Sequence, residues 1–186
     1  MPTAVESRLY RATNSRRASS RGDYRTSELF SANNLQRLAA ELIATFTFVF
    51  LGVGAIGAAL SLVTPVDGAG LVIIALGHGL GIFLGIVVIG RITGAHLNPA
   101  VTIATIISGN IGLVRGLTYI VGQLAGAALA ARWPSTSLSG GLSGLGVHSL
   151  GAGVSIGDGL AIEVILTFFL VSTIFATVID RRGNGA

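Results

Sequence analysis

The chain has 186 residues, 51% of them hydrophobic and 11% charged, with a mean hydropathy of +0.77. Those values exclude an ordinary soluble domain and predict an all-α membrane protein. There is no cysteine, which removes a disulfide framework and thiolate metal sites, and the net charge of +4 rests on arginine alone. The arginines flank apolar stretches, so the basic character points to a lipid bilayer and not to nucleic acid.

Residues 1–34 hold six arginines among Ser, Thr and Asn without hydrophobic periodicity, and read as a disordered basic tail. Glu6, Asp23 and Glu28 argue against a transit peptide. Four stretches, 38–63, 69–90, 111–131 and 158–179, each supply the roughly 20 apolar residues that cross about 30 Å of hydrocarbon. Asp67-Gly68 marks the turn between the first two. A fifth stretch, 97–108, is too short to span and is expected to be re-entrant. Residues 132–157 are rich in Gly and Ser and read as a long loop carrying a solvated His148, with Asp158 expected to cap the fourth span.

The most informative run is Gly94-Ala95-His96-Leu97-Asn98-Pro99-Ala100-Val101-Thr102. Asn is among the best N-cap residues, and Pro is favoured at the first helical position because its missing N–H needs no partner there. Asn98 therefore reads as N-cap and Pro99 as the first helical residue. Non-helical backbone at membrane depth is tolerated only where it is buried or lines a water-filled path. A helix start at that depth predicts a permeation site.

Arginine placement sets orientation. With the N-terminus inside, the tail, Arg37, Arg91, Arg115, Arg181 and Arg182 are cytoplasmic, and only Arg132 lies outside. The short helix then dips in from the cytoplasmic side.

An internal repeat is visible. Ala40-Glu41-Leu42-Ile43-Ala44-Thr45-Phe46 and Ile162-Glu163-Val164-Ile165-Leu166-Thr167-Phe168 share Glu, Thr and Phe in one register, offset by 122 positions from Glu41 to Glu163. Three spans separate the starts, so the second copy runs in the opposite direction. Such inverted repeats build a site at the midplane between their halves. A partner for Asn98 falls near position 220, beyond residue 186. The natural chain is therefore expected to be longer, or the pore to be half complete.

Together these residues resemble the aquaporin family, the major intrinsic proteins. The run from Gly94 to Thr102 is similar to its first Asn-Pro-Ala loop, Glu41 to Phe46 to its first helix, Gly122-Gln123-Leu124-Ala125-Gly126-Ala127 to its third, and Glu163 to Phe168 with Asp180-Arg181-Arg182 to its fourth. The resemblance covers about 35–186. It implies an aquaporin-like right-handed helical bundle: the first inverted repeat, of three spans and one re-entrant half-helix, and the first span of the second. The match stops before the fifth span, the second Asn-Pro-Ala loop and the filter arginine. Arg91 stands where the family usually has His.

Asn98, Pro99 and Ala100 would form the pore motif, with one part of the Asn98 amide capping the helix and the other facing the lumen. His78, twenty residues earlier, resembles the tonoplast-type members, in which it would be one wall of the selectivity filter. Its other reading is a core histidine bonded to a neighbouring backbone carbonyl. Intramembrane carboxylates are costly and usually functional or paired, and the resemblance implies that Glu41 and Glu163 each brace a re-entrant loop. His96 is expected to bond Glu41 or the loop backbone. Gly122, Gly126, Ala127 and Ala128 would pack against a neighbouring helix.

The expected function is a passive water channel that excludes protons and ions, in a homotetramer. The alternatives are a channel for ammonia or glycerol, or a truncated non-conducting subunit. No nucleophile–base set, phosphate loop or metal cluster points to an enzyme or a cofactor. The expected place is a plasma or inner membrane, as a multi-pass protein with a cytoplasmic N-terminus.

Overall fold

The computed structural model describes residues 31–62, 66–137 and 146–179. These residues form five helices: α1 (Ala32–Leu62), α2 (Gly68–Thr93), the short α3 (Pro99–Ile107), α4 (Leu113–Ser137) and α5 (Ile156–Ile174), which continues as a π-helical turn over Phe175–Ile179. There is no strand among the described residues. Four segments are long and apolar enough to cross a membrane: Ala32–Leu62, Gly68–Thr93, Leu113–Arg132 and Ile156–Ile179.

Side-chain oxygens start α1, α2, α3 and α5. Ser31 begins α1: its Oγ accepts from Asn34 N at 3.2 Å and its carbonyl from Leu35 N at 3.0 Å. The helix thus starts inside the stretch expected to be tail, whose residues 1–30 lie outside the described residues. Asp67 caps α2 by accepting from Gly70 N at 2.9 Å. Asp158 is not the cap of α5. Ser155 takes that place, and its Oγ accepts from Asp158 N at 3.1 Å and donates to Asp158 Oδ2 at 2.7 Å. The Asp158 side chain thus holds the capping hydroxyl in place. α4 continues to Ser137, past the expected loop boundary at 132, while 138–145 lie outside the described residues.

α1 is the central element and packs along both α2 and α4. The approach is close because small residues line the crossings. A methyl group on Gly126 would collide with Leu42 O, and one on Gly122 would lie 2.7 Å from Leu38 O. On α2, Gly81 sits against Phe48 O in the same way. Backbones that meet over glycine gain dispersion contacts which lipid cannot supply. Gly122 and Gly126 are the expected packing residues, whereas Ala128 is exposed. The buried cluster is small: Ala40, Ala44, Ile89, Ala95 and Leu97, with Phe48, Ile82 and Ile86 against it. Leu71, Val72, Leu76, Leu80, Phe83, Val87 and Val88 face outward from α2, which suits a hydrocarbon surround. α5 touches only α3 among the other helices, and nearly all its side chains are exposed.

Candidate functional site

The site is the turn between α2 and α3, together with the parts of α1 and α4 that grip it. Asn98 caps α3: its Oδ1 accepts from Ala100 N at 2.8 Å, and Pro99 is the first helical residue. Asn98 O accepts from Thr102 N at 3.0 Å. The Asn98 amide nitrogen has no partner among the described residues, and it is not sealed from the surface. One half of the amide therefore closes the helix end, and the other is left as a donor.

Depth follows from contacts with α1. Thr45 Oγ1 donates to Leu97 O at 3.4 Å, and Thr45 is the fourteenth of the 31 residues of α1. At about 1.5 Å per residue the contact lies roughly 20 Å along a helix of about 46 Å. The start of α3 thus lies alongside the middle of α1. A methyl on Gly85, on α2, would collide with Leu97 Cδ2, so the absence of a side chain there lets the turn seat.

The turn backbone is unusual. Gly94 (φ 87°), Ala95 (φ 53°) and Leu97 (φ 51°) are all left-handed, and two of the three are not glycine. Left-handed backbone costs a non-glycine residue about 1–2 kcal/mol. Glu41 supplies the compensation. Its fully buried carboxylate accepts from His96 N at 3.1 Å through Oε1 and from Leu97 N at 2.9 Å through Oε2. A hydrogen bond to a charged acceptor is worth about 1.5–3 kcal/mol. The two bonds offset the strain of both residues, and without them two buried N–H groups would be stranded.

Gln123, fully buried on α4, completes the bracket. Its Nε2 uses both donors, one to Glu41 Oε2 at 2.8 Å and one to Thr102 Oγ1 at 3.0 Å. His96 Nδ1 lies 3.1 Å from Thr102 Oγ1. Thr105 donates to Thr102 O at 2.7 Å. No buried side-chain nitrogen or oxygen among the described residues lacks a partner. Such a network is worth having only when it is complete, and this one is.

His96 therefore bonds Glu41 through its backbone N–H, while its ring turns to Thr102 and meets Tyr119 edge-on, with centroids 5.1 Å apart. His78 is half-buried on α2, and its Nδ1 is 2.9 Å from Ile74 O. A carbonyl only accepts, so Nδ1 carries the hydrogen and neutral His78 keeps its lone pair on Nε2. The ring lies over Gly52 of α1, where a methyl group would strike it, with Phe48 edge-on at 6.0 Å. The polar and ring contacts of His78 are to Ile74 and Phe48 and not to the Asn98 turn. Glu163 is exposed on α5, where it lines a shallow open groove of about 400 Å³ with Val164, Thr167, Phe168 and Val171. Among the described residues no group of three or more His, Cys, Asp or Glu could hold a metal ion.

The sequence reading did not assign Gln123, Thr102, Thr105 or Tyr119 to the site. A glutamine and two threonines within apolar helices were the available signal, since such groups must find partners in lipid.

An integral membrane protein, helical throughout its described residues, with a short helix whose start is braced by α1 and α4, is what the fold and site define. The family described as Major intrinsic protein matches residues 28–186. Curated relatives include Probable aquaporin TIP2-1 of Oryza sativa subsp. japonica at 40% identity, Aquaporin TIP2-1 of Zea mays at 41% and Aquaporin TIP2-3 of Arabidopsis thaliana at 38%. Each alignment runs over 155 residues, 82% of this chain and 61% of the relative. The chain belongs to the major intrinsic protein family, and it spans about three fifths of the length of the curated relatives it matches.

Proposed function

We propose that this protein conducts water passively down an osmotic gradient, past Asn98. The observation that carries this reading is the divided amide: Oδ1 is spent on Ala100 N, and the amide nitrogen remains a donor at mid-depth. A water reaching that nitrogen is held by its oxygen, so its hydrogens point away. The N-terminal end of α3 carries partial positive charge, which disfavours protons and cations at the same place. The relatives are named aquaporins, which supports water before other solutes.

In this reading Asn98, Pro99 and Ala100 are the pore motif, and Glu41 braces their turn with His96 supplying a backbone donor. His78 is a wall of the selectivity filter, offering the lone pair of Nε2 to a passing donor. Glu163 and Thr167 repeat Glu41 and Thr45 at the same spacing and share one groove. We assign them the same bracing work for a second loop, in the length of the relatives this chain does not match. The N-terminus is cytoplasmic: Arg37, Arg91 and Arg115 sit toward one end of the bundle and Arg132 toward the other. The membrane domain begins with α1 at Ala32, ahead of the expected boundary at 35, and the assembly is a homotetramer.

Stopped-flow light scattering on proteoliposomes tests the proposal. It predicts osmotic shrinkage several-fold faster than in protein-free vesicles. Equal rates would refute it and favour a non-conducting subunit.

A further inference from the structure

α2 ends at Thr93, and the last carbonyls of a helix have no partner within it. Tyr119 reaches across from α4, and its hydroxyl donates to Thr93 O at 3.2 Å. The same hydroxyl lies 3.1 Å from Arg37 Nη1. A guanidinium can only donate. The phenol oxygen therefore accepts from Arg37, and its single proton is committed to Thr93. Arg37 is itself held, because its Nε donates to Asn33 Oδ1 at 2.7 Å, one turn back on α1. The bonds from Arg37 to Tyr119 and from Tyr119 to Thr93 run in series, so the first polarises the second, while the bond to Asn33 anchors Arg37. Beyond Thr93 O, the Thr93 hydroxyl accepts from Ala95 N at 3.0 Å. The ring of Tyr119 is fully buried and packs edge-on against His96. The left-handed turn is thus gripped at two points: Glu41 holds its middle, and Tyr119 holds the residue from which it departs.

We propose that Tyr119, backed by Arg37, is a positioning residue for the Asn98 site. It clamps the C-terminal end of α2 and fixes where the turn begins. The geometric claim stands on the hydrogen bonds alone; its consequence for permeation rests on the channel reading above.

The test is hydrogen exchange of the full chain in lipid nanodiscs, read over 94–98, with osmotic shrinkage measured on the same preparations in liposomes. Tyr119→Phe keeps the ring and its packing on His96 and deletes only the hydroxyl. Arg37→Met keeps the stem, and Arg37→Lys keeps a donor. The clamp predicts exchange about five- to tenfold faster at Ala95, His96 and Leu97 in Tyr119→Phe, the size expected for one lost hydrogen bond. Arg37→Met should move the same way, and Arg37→Lys should stay near wild type. Water permeability should fall in the first two. Unchanged exchange over 94–98 in both Tyr119→Phe and Arg37→Met overturns the clamp, whatever the wild type conducts. A rise spread evenly over α1, α2 and α4 overturns it too, because Tyr119 would then serve the bundle and not the turn. If the wild type conducts no water while exchange rises as expected, the channel reading fails and the clamp stands.

Discussion

Glu41 is the residue on which the turn depends, and Gln123 is the residue on which Glu41 depends. Replacing Gln123 by Leu deletes two donors at once and leaves both the carboxylate and Thr102 short of a partner. Buried polar groups left unsatisfied cost about 1–3 kcal/mol each, more when charged. Gln123→Leu should lower the thermal midpoint in detergent by several degrees; a midpoint equal to wild type would show that the bracket does not hold the fold. His78 offers a test of a different kind. Its ring fits over Gly52 only because no side chain is there. Trp is larger, has no partner for Ile74 O in that geometry, and must swing out of the slot. His78→Trp should slow osmotic shrinkage several-fold, and an unaltered rate would put His78 outside the pore. Asn98 as a cap and Glu41 as a buried, partnered carboxylate were legible in the sequence, because each is chemically out of place in an apolar stretch. The left-handed Ala95 and Leu97 were not. Neither residue type signals positive φ, and what stabilises it is a carboxylate 55 positions away.

At the scale of elements, close approach of helices decides stability. α1 and α4 cross with Gly126 against Leu42 O, and no larger side chain fits without moving backbone. Gly126→Leu should abolish a monodisperse protein in size-exclusion chromatography. Gly79→Ala is the control: nothing lies within 4 Å of a methyl there, and Ala is favoured over Gly within a helix by about 0.5–1 kcal/mol. Its thermal midpoint should equal or exceed wild type. Failure of the control, or tolerance at Gly126, would contradict the packing. The number of spanning helices was readable from hydropathy, since each must satisfy its backbone internally in lipid. Their ends were read less well. Ser31 and Ser155 do the capping where a tail and Asp158 were expected, because a serine in a Ser-rich segment gives no sign of which one the helix will use.

For the whole molecule, the positions of its ends follow from the half-helix that dips in and returns. If α3 is re-entrant, the segment after it lies on the same side as the start of α1, and the start of α5 lies on the other. The absence of cysteine makes this directly measurable. A single cysteine at Asn110, exposed between α3 and α4, should react with an impermeant thiol reagent from the cytoplasmic face. One at Gly151, exposed before α5, should react only from the opposite face. Labelling of both from one side would contradict the topology. The inverted repeat was legible because Glu, Thr and Phe recur in register. That the two copies differ in surroundings, Glu41 fully buried and Glu163 exposed, was not, since burial depends on what packs there and not on the repeat.

In the proposed channel, an amide at the positive end of a half-helix passes water and rejects protons. Decay of a pH gradient in proteoliposomes, wild type against Asn98→Asp and at matched osmotic permeability, tests it most directly. Aspartate can still cap α3 through an oxygen, but it replaces the amide donor with negative charge. The gradient should be stable in the wild type and collapse faster in the variant. Equal decay in both proteins would show that Asn98 and the end of α3 do not form the barrier to protons.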